Sequence, residues 1–223
     1  MRTAAIPGFL PSTNGFAFVN RWPPGPAFEV RARYLRIGIG EVAEGLCGGM
    51  CFAAADRFLR AELPPPDTAA PAAGTPLFDE IASRQLDSLE LGLTPLRFWW
   101  TAARLRAGRW TAPAQVAAWR AIRADIDAGR PAMLGLVRSP AVNPFSLTSN
   151  HQVLGHAYEA SAASATIRIY DPNHPGRDDV AITLRLEAAS PAGARPSDEA
   201  RRSVSLRQTT GEPLLALLRL PFR

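Results

Sequence analysis

Three residue types that can share one chemistry stand far apart in this chain. Cys47 lies in Gly45-Leu46-Cys47-Gly48-Gly49-Met50-Cys51-Phe52, His151 in Ser149-Asn150-His151-Gln152-Val153-Leu154, and Asp171 in Ile169-Tyr170-Asp171-Pro172-Asn173. A thiol becomes a nucleophile as thiolate, which needs a base or an imidazolium partner. A carboxylate that holds the imidazole in one orientation completes the set. Gly45, Gly48 and Gly49 are poor helix residues and the residues from Met50 onward are good ones, so a helix should begin at or just after Cys47. There the sulfur meets unpaired backbone N–H groups and the positive end of the helix dipole, and both favour thiolate. The glycines are expected to open the backbone to an approaching substrate.

Cys51 is the rival nucleophile. It falls one turn inside the same helix, away from the dipole end, and is expected to pack beneath Cys47. A disulfide between the two would strain the helix. The remaining histidines are His156, expected on the other face of its strand, and His174, expected in a surface turn. Zinc is a competing use of these residues, but Cys-x3-Cys within a helix is not a usual zinc spacing and the strand histidines diverge. The acidic turn 171–179 lacks the spacing of a calcium loop. Neither a metal nor another cofactor is expected.

The elements that must position these groups follow from the hydrophobic pattern. Residues 1–39 are rich in proline and glycine, yet Phe9, Phe16, Phe18, Trp22 and Phe28 make them too apolar for a free tail. They should form an extended arm packed on the body, with a short strand near Val30–Leu35. Helices are expected at about 47–60, 75–91, from Thr94-Pro95 to Gly108 with Thr94 as N-cap, and from Thr111 to Gly129. Strands are expected at 131–137, 151–160, 165–170, 180–186, 204–206 and 214–220. Helices followed by antiparallel strands make an α+β chain. The chain reads as one domain over 1–223: an arm (1–39), a mainly helical half (40–129) and a mainly β half (130–223).

The strand pattern sets a geometric condition. Side chains alternate along a strand. A two-residue Ala162-Ala163 turn pairs residues whose numbers sum to an odd value, which places His151 and Asp171 on opposite faces. Convergence therefore requires a bulge, an odd loop, or an Asp171 already past its strand.

Composition narrows the classes. The formal net charge is +5, and all 25 basic residues are arginine, scattered rather than clustered. A nucleic-acid interface needs a charged face, so none is expected. No apolar run is long enough for a transmembrane helix, and the first residues lack the apolar core of a signal peptide. A cytoplasmic location and no membrane partner are expected.

In order and spacing, Cys47-Gly48, His151-Gln152-Val153-Leu154 and Asp171-Pro172 resemble the papain-like cysteine peptidases, most closely the C39-like branch. The resemblance spans about 40–180. It implies a papain-like fold, with the nucleophile helix packed on a C-terminal antiparallel sheet. It also implies a thiol-dependent hydrolase of peptidase or amidase type: Cys47 nucleophile, His151 base, Asp171 orienting group, and a peptide or amide-containing substrate. Gly48, Asn150 and Gln152 are the neighbouring substrate or oxyanion candidates. The family usually places an oxyanion glutamine about six residues before the cysteine; here that position is Glu41, whose charge would repel a developing oxyanion. Asn14 or Asn20 from the arm can supply the missing amide. Transfer of the acyl group to an amine, or a non-catalytic papain-like binding domain, are the alternatives.

Overall fold

The computed structural model describes residues 1–32, 35–41, 45–142, 149–186 and 204–222, with side chains left undescribed over 26–41. The chain is α+β. Nine strands and five α-helices are present among the described residues: β1 (Arg2–Ala5), α1 (Pro11–Asn14), β2 (Pro26–Ala32), β3 (Leu35–Glu41), α2 (Cys47–Leu59), α3 (Pro76–Ser88), α4 (Leu93–Arg106), α5 (Ala112–Asp127), β4 (Ala132–Val137), β5 (His151–Ala160), β6 (Ser164–Tyr170), β7 (Ala181–Leu186), β8 (Val204–Gln208) and β9 (Ala216–Leu220). None of the described helices is long and apolar enough to cross a membrane.

Seven strands form one antiparallel sheet in the order β8-β7-β6-β5-β4-β9, and β1 also pairs with β5. β4 is buried at every position and β5 at its first six, so both faces of the sheet are covered there. Continuous burial of β4 is why its sequence, Ala-Met-Leu-Gly-Leu-Val, is apolar throughout rather than alternating. α2 packs on β5 and α3, while α5 lies along β9, β4 and β5.

The arm is more regular than its prolines suggest. Its first residues form β1, which pairs with Ala157–Ala160 of the central strand β5 beyond the end of β4, and β2 and β3 pair as a separate hairpin. Phe9, Phe16, Phe18 and Trp22 are buried in the common core, with Phe18 edge-on to Trp22 and Trp22 edge-on to Phe78. Thr94 does not cap α4. That helix starts one residue earlier behind Gly92 (φ 94°), and the Thr94 hydroxyl donates to Glu90.

The β5–β6 register decides where the site residues point. Next to the turn, Ala160 faces Ala165 and Ala157 faces Arg168, sums of 325. A bulge at His156 then shifts the pairing to Gly155 with Ile169 and Leu154 with Tyr170, sums of 324. The extra residue reverses the alternation of everything before it. Asp171, one residue past β6, thereby continues on the face of His151, as the required even sum demands.

Candidate active site

Cys47 is the first residue of α2. Leu46, before it, provides no side-chain cap, so the first N–H groups of the helix remain for other partners. The Gly48 N–H of the helix and the Gln152 N–H of β5 both favour the charged form of the Cys47 sulfur. Gly49 N–H donates to Gln85 Oε1 (2.8 Å), and Met50 N–H to the Leu46 carbonyl (2.9 Å). The tight approach of α3 explains the glycines. A Cβ on Gly48 would lie 2.2 Å from Ser88 Oγ, and one on Gly49 would lie 2.1 Å from the Ile81 carbonyl oxygen. Gly48 and Gly49 are buried by packing rather than left open for substrate, which corrects the expectation from sequence.

His151 opens β5 and is buried, with Nε2 2.7 Å from Asp171 Oδ1. With Nε2 held there, Nδ1 is the ring nitrogen left for the Cys47 sulfur, and the two groups are near enough for each to stabilise the other's charged form. Asp171 Oδ1 also accepts from Asn173 N–H (2.9 Å), and Oδ2 from Gln208 Nε2 (2.8 Å). The carboxylate is fully buried, and three donors compensate its desolvation.

These contacts set the charges. Burial raises the Asp171 carboxyl, but His151 and the Asn173 amide outweigh it and hold it at about 2. Burial lowers His151, but the Asp171 and Cys47 charges overcome this and lift it to about 9. Burial pushes the Cys47 thiol up, yet imidazolium and two backbone N–H groups bring it below its ordinary value. Both the lowered thiol and the raised imidazole shift the pair toward thiolate and imidazolium. Cys51 behaves oppositely: buried and next to Cys47, its thiol is pushed well up and points to the Gln152 carbonyl at 3.6 Å. Of the two cysteines, only Cys47 is a partly exposed residue.

The exposed side of Cys47 opens into a cleft of about 330 Å³. Its walls include Asn20, Arg21, Arg138, Asn150, His151 and Glu212. Asn150 accepts from Arg138 N–H (3.2 Å) while lining the cleft. Gln152 does not line it: the side chain is buried and its amide reaches Ser88 Oγ at 3.4 Å. Glu41 belongs to β3, and its side chain lies outside the described residues. His174 is not a free surface residue but a cleft residue paired with Glu212 at 2.8 Å. Among the described residues, no group of three or more His, Cys, Asp or Glu is placed to hold a metal ion.

Of the two arm asparagines, Asn14 closes its own turn by accepting from Leu10 N–H. Asn20 sits at the site. Its backbone N–H donates to the Pro172 carbonyl (2.9 Å), its Oδ1 accepts from Leu46 N–H (2.7 Å), and its Nδ2 donates to Asn173 Oδ1 (3.1 Å). Because Leu46 supplies a donor, the oxygen must face it, which fixes the amide orientation. Asn20 thus ties the residue before Cys47 to the turn after Asp171.

Gln208 and Arg138 are the residues that motif reading missed. Gln208 is fully buried at the end of β8, and its Oε1 accepts from Arg138 Nη2 at 3.3 Å. The signal present in sequence was a glutamine ending an otherwise amphipathic strand, which by itself names no partner. No family model, no curated protein and no solved structure matches this chain.

Proposed function

We propose that this protein is a thiol-dependent hydrolase of papain-like arrangement, acting on an amide or related acyl substrate through Cys47, His151 and Asp171. The observation that carries the reading is the buried His151, bonded by Nε2 to Asp171, with its other nitrogen left for Cys47, a partly exposed residue at a helix tip that lines a cleft. A structural cysteine needs neither the imidazole nor the opening. The helix-borne sulfur set against an antiparallel sheet that supplies imidazole and carboxylate supports the papain-like comparison.

The chemistry follows from the geometry. The Cys47 thiolate attacks the substrate carbonyl carbon, and the carbonyl electron pair moves to oxygen. Collapse of that oxyanion expels the amine, which takes the proton from His151, and leaves a thioester on Cys47. His151, now neutral, removes a proton from water. The resulting attack forms the acid product, and the sulfur leaves as thiolate. Asp171 holds the ring so that Nδ1 serves both transfers. The backbone N–H at Cys47 and the Asn20 amide are the donors assigned to the oxyanion. Asn20 takes the place that the sequence leaves to Glu41.

The test is alkylation of the full-length chain with iodoacetamide across pH, with the modified peptide identified by mass spectrometry. Cys47 should react far below the free-thiol range near 8.5, and His151→Ala should return it to that range. A Cys47 that reacts no faster than in the urea-unfolded chain overturns the proposal.

A further inference from the structure

The cleft walls carry the charge of a selective site. Beside Cys47 and His151 they are almost wholly polar; Val19 is the one apolar side chain among the described lining residues. A cleft that selected large apolar side chains would be lined the other way. Arg21 and Arg138 both face it, against the carboxylate of Glu212, which is engaged by His174 and Thr210. No carboxylate of the described residues forms an ion pair with Arg138. Its Nε is buried without a hydrogen-bond partner, and its Nη2 is held by the Gln208 oxygen. The nearest charge it answers is Glu212, whose carboxyl it helps to lower but which is already bonded to His174 and Thr210, so a partly desolvated guanidinium with a free Nε is left to take a further anion. Its position is also fixed relative to the reacting groups: Gln208 joins it to Asp171 Oδ2 at 2.8 Å.

We infer that the cleft selects acyl substrates bearing an anionic group, in simplest form a carboxylate, close to the scissile bond, and that Arg138 is its principal recognition residue. The inference rests on the thiol-hydrolase reading and adds the substrate class. Arg21, exposed on the arm, adds to the same field. The held geometry of Arg138 suits a fixed carboxylate better than a mobile surface arginine does.

Two alkylating reagents of nearly equal shape, iodoacetate and iodoacetamide, test it. In each reaction the Cys47 thiolate displaces iodide and forms one S–C bond, and the reagents differ by a carboxylate against an amide. Second-order rates at Cys47 are measured for the native chain, for Arg138→Gln and for Arg138→Lys, below the free-thiol range. The ratio of iodoacetate to iodoacetamide rates should be higher in the native chain than in the urea-unfolded chain. Arg138→Gln should lower that ratio by about tenfold, equivalent to ~1.4 kcal/mol, and Arg138→Lys should keep most of it. Added salt should lower the native ratio as well, a measurement on the unmodified protein that needs no variant to fold. A ratio in Arg138→Gln within about twofold of native, or a native ratio indifferent to salt, overturns the inference and leaves the hydrolase reading standing. Cys47 slow toward both reagents overturns the hydrolase reading itself.

Discussion

Gly49→Ala is expected to destabilise this protein, although alanine is the better helix residue. In an exposed helix interior, replacing glycine by alanine contributes about 1 kcal/mol in favour of folding. At Gly49 the new Cβ would stand 2.1 Å from the Ile81 carbonyl oxygen and 2.9 Å from the Gln85 amide nitrogen, both backbone atoms of α3. Neither can rotate away, so α3 must withdraw from α2 by about an ångström to reach ordinary contact. That withdrawal stretches the Gly49 N–H to Gln85 Oε1 bond of 2.8 Å and loosens Ile81 and Phe78, both buried. Overpacking of this kind costs about 1–3 kcal/mol and the strained hydrogen bond about 1 more, so the net effect is a loss of ~2 kcal/mol. In a chain of this size the loss lowers Tm by roughly 4–8 °C. Urea unfolding followed by circular dichroism measures it as a lower midpoint at unchanged m-value. A Gly49→Ala protein as stable as native, or more so, would refute the claim that α3 closure rather than substrate access dictates the glycine. Gly48→Ala offers an internal control. Its Cβ meets the Ser88 hydroxyl at 2.2 Å, a side chain, so Ser88→Gly should recover much of that loss while leaving Gly49→Ala unrescued.

Further outcomes follow from the same contacts. Asp171→Asn removes the charge that lifts His151, so the pH at which Cys47 alkylation is half-maximal should rise and the rate at neutral pH fall at least about tenfold; an unchanged profile would separate Asp171 from the thiol. Gln208→Leu leaves a buried carboxylate oxygen without its donor and should cost about 1.5–3 kcal/mol in urea unfolding, with equal stability in the two proteins refuting the contact. Stability should depend on pH through His151 and Asp171. His151 is raised to about 9, so its contribution is complete below 6.5 and lost as pH climbs through 9. Asp171 is lowered to about 2, so its contribution is complete above 3.8 and lost as pH falls toward 2. Chemical denaturation of His151→Ala across pH should lack the alkaline slope. Buried His156 is depressed to about 4, first by burial, so it adds stability above 6.5 that is lost between 6.5 and 4; His156→Gln should flatten that interval. Deleting His156 removes the bulge and should turn His151 and Asp171 to opposite faces, and a surviving low-field imidazole proton signal in NMR would contradict the register argument.

Local signals made much of this protein legible from its residues alone. Cys47 at the start of α2 was readable because glycine opposes a helix and Met50–Leu59 favours one. The span of β5 came from an apolar run ending near a Ser-Ala-Ala-Ser turn, and the α+β class from helices preceding strands. The register condition was readable too, since alternation is a property of any strand. Its solution was not: a bulge at His156 reflects how β5 must serve β6, β4 and β1 at once, and no short window contains those partners. Gly48 and Gly49 looked like an opening because sequence shows a missing side chain and not what fills the space; α3, some thirty residues later, fills it. Asn20, Gln208 and Arg138 are polar residues without a motif, 27, 161 and 91 positions from Cys47. Only the folded chain gathers them around one thiol, because buried charge selects its partners by distance and direction, and chain order carries neither.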